Sequence, residues 1–331
     1  MDPGLLLSDL LTLGGVIVIV PLALVAYIVG GESLVRLVPD ARRGSVRPWI
    51  WVGPALAFVT AFLVLPAIGT VLTSLQNHEG AFIGLTNYQH QLADFPSGGA
   101  WIAIRNNLYW LILYTLFVLF FGLLLAVLFD RVPYEKVVKS LIFLPMAISS
   151  VALGVIWKFM YWYQPGDAPQ TGTLNYIVVN FFHLAPKTWL TDSSINNFAI
   201  IAAAVWGITG FSMVILSAAL KGIPGELLEA ARVDGAGEIT IFRRVIFPLM
   251  MPTVVVVGTT LVIFALKAFD IVYVMTAGNF GTDVLANRLY KLLYQSDNPG
   301  GASAVAIILL IAVVPVLIFN LRQFRAVEAR R

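Results

Sequence analysis

Cysteine is absent from the 331 residues, and histidine is scarce, with only three copies. The lack of thiols excludes a disulfide framework, a thiol nucleophile and a cysteine-based zinc or iron–sulfur site in this chain. Charged residues are also few: they make up 12% of the chain, about half of their usual share in soluble proteins, whereas 59% of the residues are hydrophobic. A chain of this composition is expected to lie mostly in lipid.

Seven apolar segments are long enough to cross a bilayer as helices, which takes about 20 residues each. They cover residues 11–29, 50–72, 107–129, 140–162, 198–220, 250–272 and 301–321. Small residues and proline interrupt each of them, which is typical of helices that pack on one another in lipid. The sequence therefore predicts an all-α integral membrane protein with about seven transmembrane helices.

The distribution of Lys and Arg predicts the orientation, because loops rich in these residues face the cytoplasm. Of the 21 Lys and Arg, 15 lie in four loops, 30–49, 130–139, 221–249 and 322–331, and the alternate loops hold four. The N-terminus is thus predicted outside and the C-terminus in the cytoplasm. The net charge of +3 reflects this topology, and we expect no nucleic-acid partner. The first 35 residues contain no Lys or Arg, so no cleaved signal peptide is expected.

No internal repeat or low-complexity linker divides the chain. We predict an extra N-terminal transmembrane helix with a cytoplasmic link in residues 1–40, and one helical core in residues 41–331. The core contains the longest cytoplasmic loop, 221–249.

That loop carries the pattern of a short amphipathic helix. Pro224 suits the first helical turn, and an apolar stripe follows at helical spacing in Leu227, Leu228 and Ala231. Gly235 can adopt the left-handed backbone that ends a helix. A turn and a second helical stretch over 238–246 complete an element that is suited to docking.

Residues 229–235 of the loop read EAARVDG, and Pro248 follows thirteen residues after the glycine. This string resembles the EAA loop of the membrane subunits of binding-protein-dependent ABC importers. The family pattern ends in Ile-x-Leu-Pro, whereas residues 245–248 read VIFP. The resemblance implies a coupling helix that seats in a separate ATPase subunit and converts its closure on ATP into rotation of the transmembrane helices. The coupling residues it implies are Glu229, Ala230, Ala231, Asp234, Gly235 and Pro248.

The resemblance extends over residues 50–321. Two segments are similar to carbohydrate permeases of the maltose-permease type, namely 82–88 (FIGLTNY) and 269–278 (FDIVYVMTAG). Three more are similar to the alpha-glucoside permease branch, namely 143–149 (FLPMAIS), 241–244 (IFRR) and 279–282 (NFGT). The resemblance implies an importer for alpha-glucosides or related oligosaccharides in a bacterial or archaeal cytoplasmic membrane.

The same resemblance implies a complex of several subunits. Its partners would be a second, homologous permease in a heterodimer, two ATPase subunits and an extracytoplasmic sugar-binding protein. No Gly-x-x-x-x-Gly-Lys-Ser/Thr phosphate loop occurs in the sequence. We therefore expect ATP and Mg²⁺ at the partner ATPase, no cofactor or metal on this chain, and no enzymatic activity of its own.

For the sugar path, the resemblance implies a site at the membrane midplane that includes Gly207, Ile208, Phe211 and Phe264. The ring of Phe211 offers a face for stacking on a sugar. The positions where the maltose permease has amide side chains hold Ala204, Ala265 and Ala268. Either the sugar is held differently here or the partner permease supplies the polar groups.

Lys267 and Asp270 lie three residues apart near the outer end of the sixth segment, on one predicted helical face. A relay or a substrate contact is one interpretation, since ionisable groups within a membrane are often functional. An ion pair that reaches the interface is favoured over it. The aromatic run 157–163 is likewise assigned to interfacial anchoring in preference to sugar stacking.

A proton-coupled secondary sugar transporter is the alternative function. It would need carboxylates in the middle of helices, and only Asp270 lies inside a predicted segment. A membrane-embedded glycosyltransferase would need paired carboxylates or a metal site, and the acidic residues of the external loops are scattered singly. The sequence therefore favours the importer subunit.

Overall fold

The computed structural model describes residues 3–93, 98–130 and 132–328, and these ranges are almost entirely helical. Their only strand-like pairing is an isolated bridge between Gln76 and Phe82. In chain order the helices are α1 (Pro3–Leu37), α2 (Asp40–Ser74), α3 (Thr86–Leu92), α4 (Gly99–Leu128), α5 (Glu135–Ala147), α6 (Ser150–Met160), α7 (Thr173–Asn180), α8 (Asn196–Lys221), α9 (Gly225–Val233), α10 (Glu238–Leu266), α11 (Asp270–Thr276), α12 (Leu285–Tyr290) and α13 (Pro299–Glu328).

Five of the described helices are long and apolar enough to cross a membrane, namely α1, α2, α4, α8 and α10. The bent pair α5 and α6 makes a sixth span if it is counted as one, and α13 contains a shorter apolar stretch, Pro299–Pro315. In lipid only such helices satisfy their own backbone hydrogen bonds. The prediction of an all-α membrane protein is confirmed, with five or six spans by this measure. The orientation stays a prediction.

The chain forms two compact units, one that ends at Gly69 and one that begins at Thr70. Within the first unit, α1 packs against the start of α2: the Tyr27 and Trp51 rings meet edge to face at 5.9 Å. Arg47 also pairs with Glu32 at 3.1 Å. The predicted division between residues 40 and 41 stays a prediction.

Helix α8 is the central helix of the second unit and the most buried of the five spanning helices. It packs against α4, α5 and α10. Small residues make these close approaches possible. At Gly122 of α4 the nearest neighbour is Ser212, and at Gly210 the backbone of Ile142 in α5 comes directly against α8.

The predicted helical segment 140–162 is broken into two helices. The chain bends by 99° between α5 and α6. Pro145 has no N–H to continue the helical ladder, and Ile148 is extended, with ψ 134°. Ser149 then caps α6 by accepting a hydrogen bond from the Ala152 N–H at 3.2 Å.

The predicted sixth segment, 250–272, also ends earlier than expected. Helix α10 stops at Leu266, and α11 begins at Asp270 after a short irregular stretch. Lys267 and Asp270 therefore do not share one helical face, and no ion pair joins them in the described part of the chain. The favoured interpretation of these residues as an interfacial ion pair is wrong.

The aromatic run 157–163 is not a uniform interfacial belt. Tyr161 is only 5% exposed, and its hydroxyl donates to the Ala199 carbonyl at 2.9 Å. Trp157 packs against Tyr161 with ring centroids 5.3 Å apart and a tilt of 40° between the rings. The interfacial assignment is therefore wrong for Tyr161, which fastens α6 to α8.

Candidate functional site

Helix α9 forms where the loop pattern predicts it. Pro224 precedes its first residue with φ −57°, the value that the proline ring imposes. Glu226 lies in the first turn and Arg232 in the last, so both charges are favourable for the helix dipole. No residue of α9 is buried, which leaves the helix free to contact a partner.

The turn after α9 is a Schellman motif centred on Gly235. The Ala236 N–H donates to the Ala231 carbonyl and the Gly235 N–H to the Arg232 carbonyl, both at 3.0 Å. Gly235 has φ +82°, the left-handed conformation that glycine adopts without strain. The sequence-based prediction of a left-handed stop at this residue is confirmed.

An ion pair across this turn orients α9 relative to the start of α10. The Nε of Arg232 lies 2.9 Å from the Oε1 of Glu238. The hydrogen bond to Glu238 raises the pKa of the Arg232 guanidinium above its ordinary value. The guanidinium is therefore charged at physiological pH, and the direction of the loop does not depend on pH through Arg232.

The surface of this loop is unusually apolar for an exposed helix. Val233 is 87% exposed and Ile239 is 77% exposed, and Leu227 is exposed as well. The predicted coupling residues Glu229, Ala230, Asp234 and Gly235 are also exposed, Ala231 is half-buried, and Pro248 is exposed on α10. Large apolar side chains beside charged ones are typical of an interaction site.

A polar cluster at the base of α5 holds the end of α8, just before this loop. The Glu135 Oε1 lies 2.5 Å from the Nζ of Lys139 and 2.5 Å from the Nζ of Lys221. Lys139 also donates to the Ser217 hydroxyl on α8. Glu135 thus joins two helices, one of which runs into the loop and the other into the 99° break.

A cavity of about 330 Å³ lies beside that break. Its walls come from α4, from the α5–α6 break, from α8 and from residues between α10 and α11. Trp110 and Tyr114 of α4 supply two buried rings with centroids 5.7 Å apart. Lys267 and Asp270 are the two charged side chains among the described lining residues.

The structure brings the predicted sugar-path residues together. Gly207, Ile208 and Phe264 line this cavity. Phe211 is not among the lining residues, but its ring centroid lies 6.3 Å from that of Phe264. Three of the four residues thus line one cavity and the fourth contacts its wall, and their role in binding stays a prediction.

Sequence reasoning missed several contributors to these sites. Trp110 and Tyr114 lie four residues apart in an apolar segment, a spacing that places both on one helical face. The same spacing relates Glu135 and Lys139, so that pair was recognisable from sequence. The link from Glu135 to Lys221 was not recognisable from sequence, because 86 residues separate them.

Among the described residues, no three His, Asp or Glu side chains group as metal ligands do.

The structure combines a helical bundle, a central cavity beside a broken helix, and an exposed helix suited to docking. These features are typical of a transport subunit in a multicomponent membrane complex. Residues 118–329 match the family described as the inner membrane component of binding-protein-dependent transport systems. The chain belongs to this family. It is therefore the permease subunit of an ABC importer, a transport component and not an enzyme, and it crosses the cytoplasmic membrane several times.

Individual relatives support the assignment over most of the chain. The osmoprotective compounds uptake permease protein GgtC of Synechocystis sp. is 49% identical over 283 residues, which are 85% of this chain and 100% of that protein. The alpha-glucoside transport system permease protein AglF of Rhizobium meliloti is 42% identical over 281 residues, covering 84% of this chain and 82% of the relative.

Solved structures show the same fold. A chain of a bacterial alginate ABC transporter, crystallised with a periplasmic protein bound to an alginate pentasaccharide, superposes with a TM-score of 0.73. The match covers 87% of this chain and 97% of that chain, at 22% sequence identity. At that identity the likeness concerns the fold alone.

Proposed function

We propose that this permease imports alpha-glucosides or related oligosaccharides and that loop 221–249 couples the transport to a separate ATPase. The name of AglF, an alpha-glucoside transport system permease protein, supports a sugar as the solute. The cavity supports it as well, since aromatic faces beside a few polar groups suit a sugar ring. A proton-coupled carrier is not favoured, because the relatives are ABC permeases.

The observation that carries the coupling proposal is a continuous set of contacts from the loop to the cavity. Helix α8 ends at Lys221, directly before α9. Lys221 is bound to Glu135 at the base of α5, and α5 leads into the break that lines the cavity. Rotation of α9 by a closing ATPase would thus pull on α5 and change the opening of the cavity.

We further propose the composition of the complex. This chain would pair with a second, homologous permease, and the pair would bind two ATPase subunits and an external sugar-binding protein. ATP and Mg²⁺ would be held by the ATPase, with Glu229, Ala230, Ala231, Asp234, Gly235 and Pro248 of this chain at the contact. Alternating access would then follow from closure of the ATPase dimer.

The Glu229→Lys substitution tests this assembly. We expect the ATPase subunit to co-purify with the wild-type chain when the chain is expressed with its chromosomal neighbours, and to be lost from the variant, because a lysine reverses the charge of the exposed α9 surface. The measurement is the amount of ATPase subunit and of ATP hydrolysis in the affinity-purified membrane fraction. Glu79→Lys, the same charge change in another exposed loop, is the control.

If the Glu229→Lys variant retains the ATPase subunit, the contact with the ATPase does not lie on α9. A wild-type chain that purifies alone and accumulates sugar in response to a proton gradient would instead favour the secondary transporter and overturn the proposed function.

The Phe264→Ala substitution tests the sugar path. Phe264 is 43% exposed and lines the cavity, so we expect the rate of labelled maltose or trehalose uptake to fall about tenfold. Phe211→Ala should have a smaller effect, about fivefold, because loss of an aromatic pair costs about 1 kcal/mol. Phe198→Ala is the control, because Phe198 is an exposed aromatic residue on α8 that does not line this cavity. Its uptake rate should equal that of wild type. Uptake equal to wild type in both Phe211 and Phe264 variants, at unchanged expression, would remove these residues from the path.

The Glu135→Gln substitution tests the link between the loop and the cavity. The amide leaves two neighbouring ammonium groups without their shared carboxylate, so we expect sugar transported per ATP hydrolysed to fall several-fold while the complex stays assembled. Lys136→Gln, on the exposed side of the same helix, should keep the wild-type ratio. The measurement is uptake and ATP hydrolysis in the same proteoliposomes. An unchanged ratio in Glu135→Gln would show that α5 is not part of the coupling.

A further inference from the structure

A second recess lies at the other end of α6, separate from the central cavity. It has a volume of about 470 Å³, and none of its described lining residues lines the central cavity. Its walls come from three segments: the end of α6 and residues that follow it, residues 188–191, and residues 273–280. Two of these segments lie in loops that the charge distribution predicts to be external. With this predicted orientation, the recess faces the side from which solute arrives.

Aromatic side chains from all three segments form its walls. Trp162 is 46% exposed and Tyr273 is 36% exposed, while Tyr163 and Trp189 are half-buried. Each of these rings lines the recess. Flat aromatic faces bind apolar C–H surfaces without desolvating a charge.

One buried asparagine positions both tryptophans. Asn175 is fully buried and accepts a hydrogen bond from the Trp189 Nε1 at 3.0 Å. Its Nδ2 donates to the Trp162 carbonyl at 3.1 Å and to the Lys187 carbonyl at 2.9 Å. A tryptophan that anchors a protein at the lipid interface directs its polar end to the wet side. The Trp189 N–H is instead satisfied inside the protein, so this ring is placed by the fold.

The wall at residues 277–280 contains strained backbone. Ala277 has φ +52° and Phe280 has φ +56°, although neither residue is a glycine. The segment is held by buried polar groups: the Asn196 Nδ2 donates to the Phe280 carbonyl at 2.8 Å, and the Thr276 and Thr282 hydroxyls lie 2.6 Å apart. Strain that persists because its surroundings over-determine it is typical of binding sites.

The polar groups of the recess favour an uncharged ligand. Thr188, Thr191 and Asn279 line it, and their side chains have no hydrogen-bond partner within the described part of the chain. No described lining residue is a carboxylate, and the one cation, Lys158, has its Nζ 3.4 Å from the Val274 carbonyl. Free hydroxyl and amide groups between aromatic walls match a polyol with apolar faces.

We infer that this recess is a second, external binding site for a neutral sugar ring, which holds the solute before it enters the central cavity. The inference rests on the proposed function only in taking a sugar as the solute. Trp162 and Tyr273 stack on the ring, Trp189 forms the back of the site, and Thr188 and Thr191 bind its hydroxyls. The volume is within the range of small-molecule sites and accommodates a ligand of this size.

Direct binding to the importer without its binding protein tests the inference. The complete membrane complex is placed in nanodiscs, and binding of maltose and of trehalose is followed by saturation-transfer NMR. We expect Trp162→Ala and Thr191→Val to weaken binding at least several-fold, Trp162→Phe to restore most of it, and Phe264→Ala in the central cavity to leave the Trp162-dependent signal in place. Phe181→Ala, an exposed aromatic residue just after α7 that neither lines the recess nor contacts Trp162, is the matched control.

The outcomes separate this inference from the proposed function. If wild type imports neither sugar nor any related glucoside, the proposed function fails. If wild type imports sugar but Trp162→Ala binds it as tightly as wild type, the external site is disproved. If the same variant also weakens stimulation of the ATPase by the binding protein, the recess is a contact site for a protein and not for a sugar.

Discussion

The Gly235→Val substitution is expected to lower coupled transport by roughly tenfold while the complex remains assembled. Gly235 has φ +82°, and a side chain in the left-handed region costs about 1–2 kcal/mol, with 1.4 kcal/mol equal to a factor of ten. A β-branched residue is among the worst for this conformation. The backbone would leave it and lose the two hydrogen bonds of the Schellman turn, so α9 would change direction relative to α10.

A graded series makes this prediction specific to backbone conformation. Asparagine tolerates the left-handed region better than other residues with a side chain, so Gly235→Asn should transport better than Gly235→Ala, and Gly235→Val should be worst. Gly225→Val is the matched control, because Gly225 begins α9 without a positive φ and a Cβ there meets nothing within 4 Å. The measurement is sugar uptake per ATP hydrolysed. Normal coupling in Gly235→Val would mean that the direction of α9 does not transmit the ATPase movement.

The Gly210→Ala substitution is expected to destabilise the whole second unit. A Cβ at this position would lie 2.6 Å from the Ile142 carbonyl oxygen and 2.7 Å from the Phe143 Cα. Both are backbone atoms, so a rotamer change cannot relieve the contact, and α5 must move away from α8. Overpacking of this kind costs about 1–3 kcal/mol, and Gly210→Val should cost more.

The same helix supplies the control for this prediction. A Cβ at Gly207, one turn earlier on α8, meets the Cδ1 of Leu153, which is the end of a flexible side chain. Gly207→Ala should therefore fold, whereas Gly210→Ala should give a lower yield of monodisperse protein and a thermal midpoint several degrees lower in detergent. Equal stability of the two variants would show that the α5–α8 contact is looser than the backbone distances indicate.

Local sequence was sufficient for α9 and the turn after it because their backbone conformation is set by interactions within residues 224–236. Pro224 and Gly235 set backbone dihedral angles that depend on the residue itself. The resemblance of residues 229–235 to the EAA loop depends on the same short stretch. The role of the loop in binding an ATPase cannot be read from its shape and remains a proposal.

The cavity and its surroundings were only partly predictable. Gly207, Ile208 and Phe264 were assigned to one site by resemblance, and the structure groups them. Trp110 and Tyr114 were not assigned, since an aromatic residue in an apolar segment is as suited to lipid as to a binding site. Only the packing of α4 beside the α5–α6 break places them at the cavity.

By itself the sequence determined that the chain is an all-helical membrane protein, where the long apolar stretches lie and how the coupling loop folds, because hydrophobicity and backbone preference act over a few residues. Tertiary structure decided where those stretches are interrupted. Pro145 in 140–162 produces a 99° bend, whereas Pro252 lies inside the unbroken α10. A proline removes one hydrogen bond and its ring crowds the carbonyl one turn earlier, and how far the helix then bends depends on the neighbouring helices that satisfy the freed groups. Tertiary structure likewise decided the partners of Tyr161 and Glu135. These are the Ala199 carbonyl and the Lys221 ammonium group, and both lie on α8.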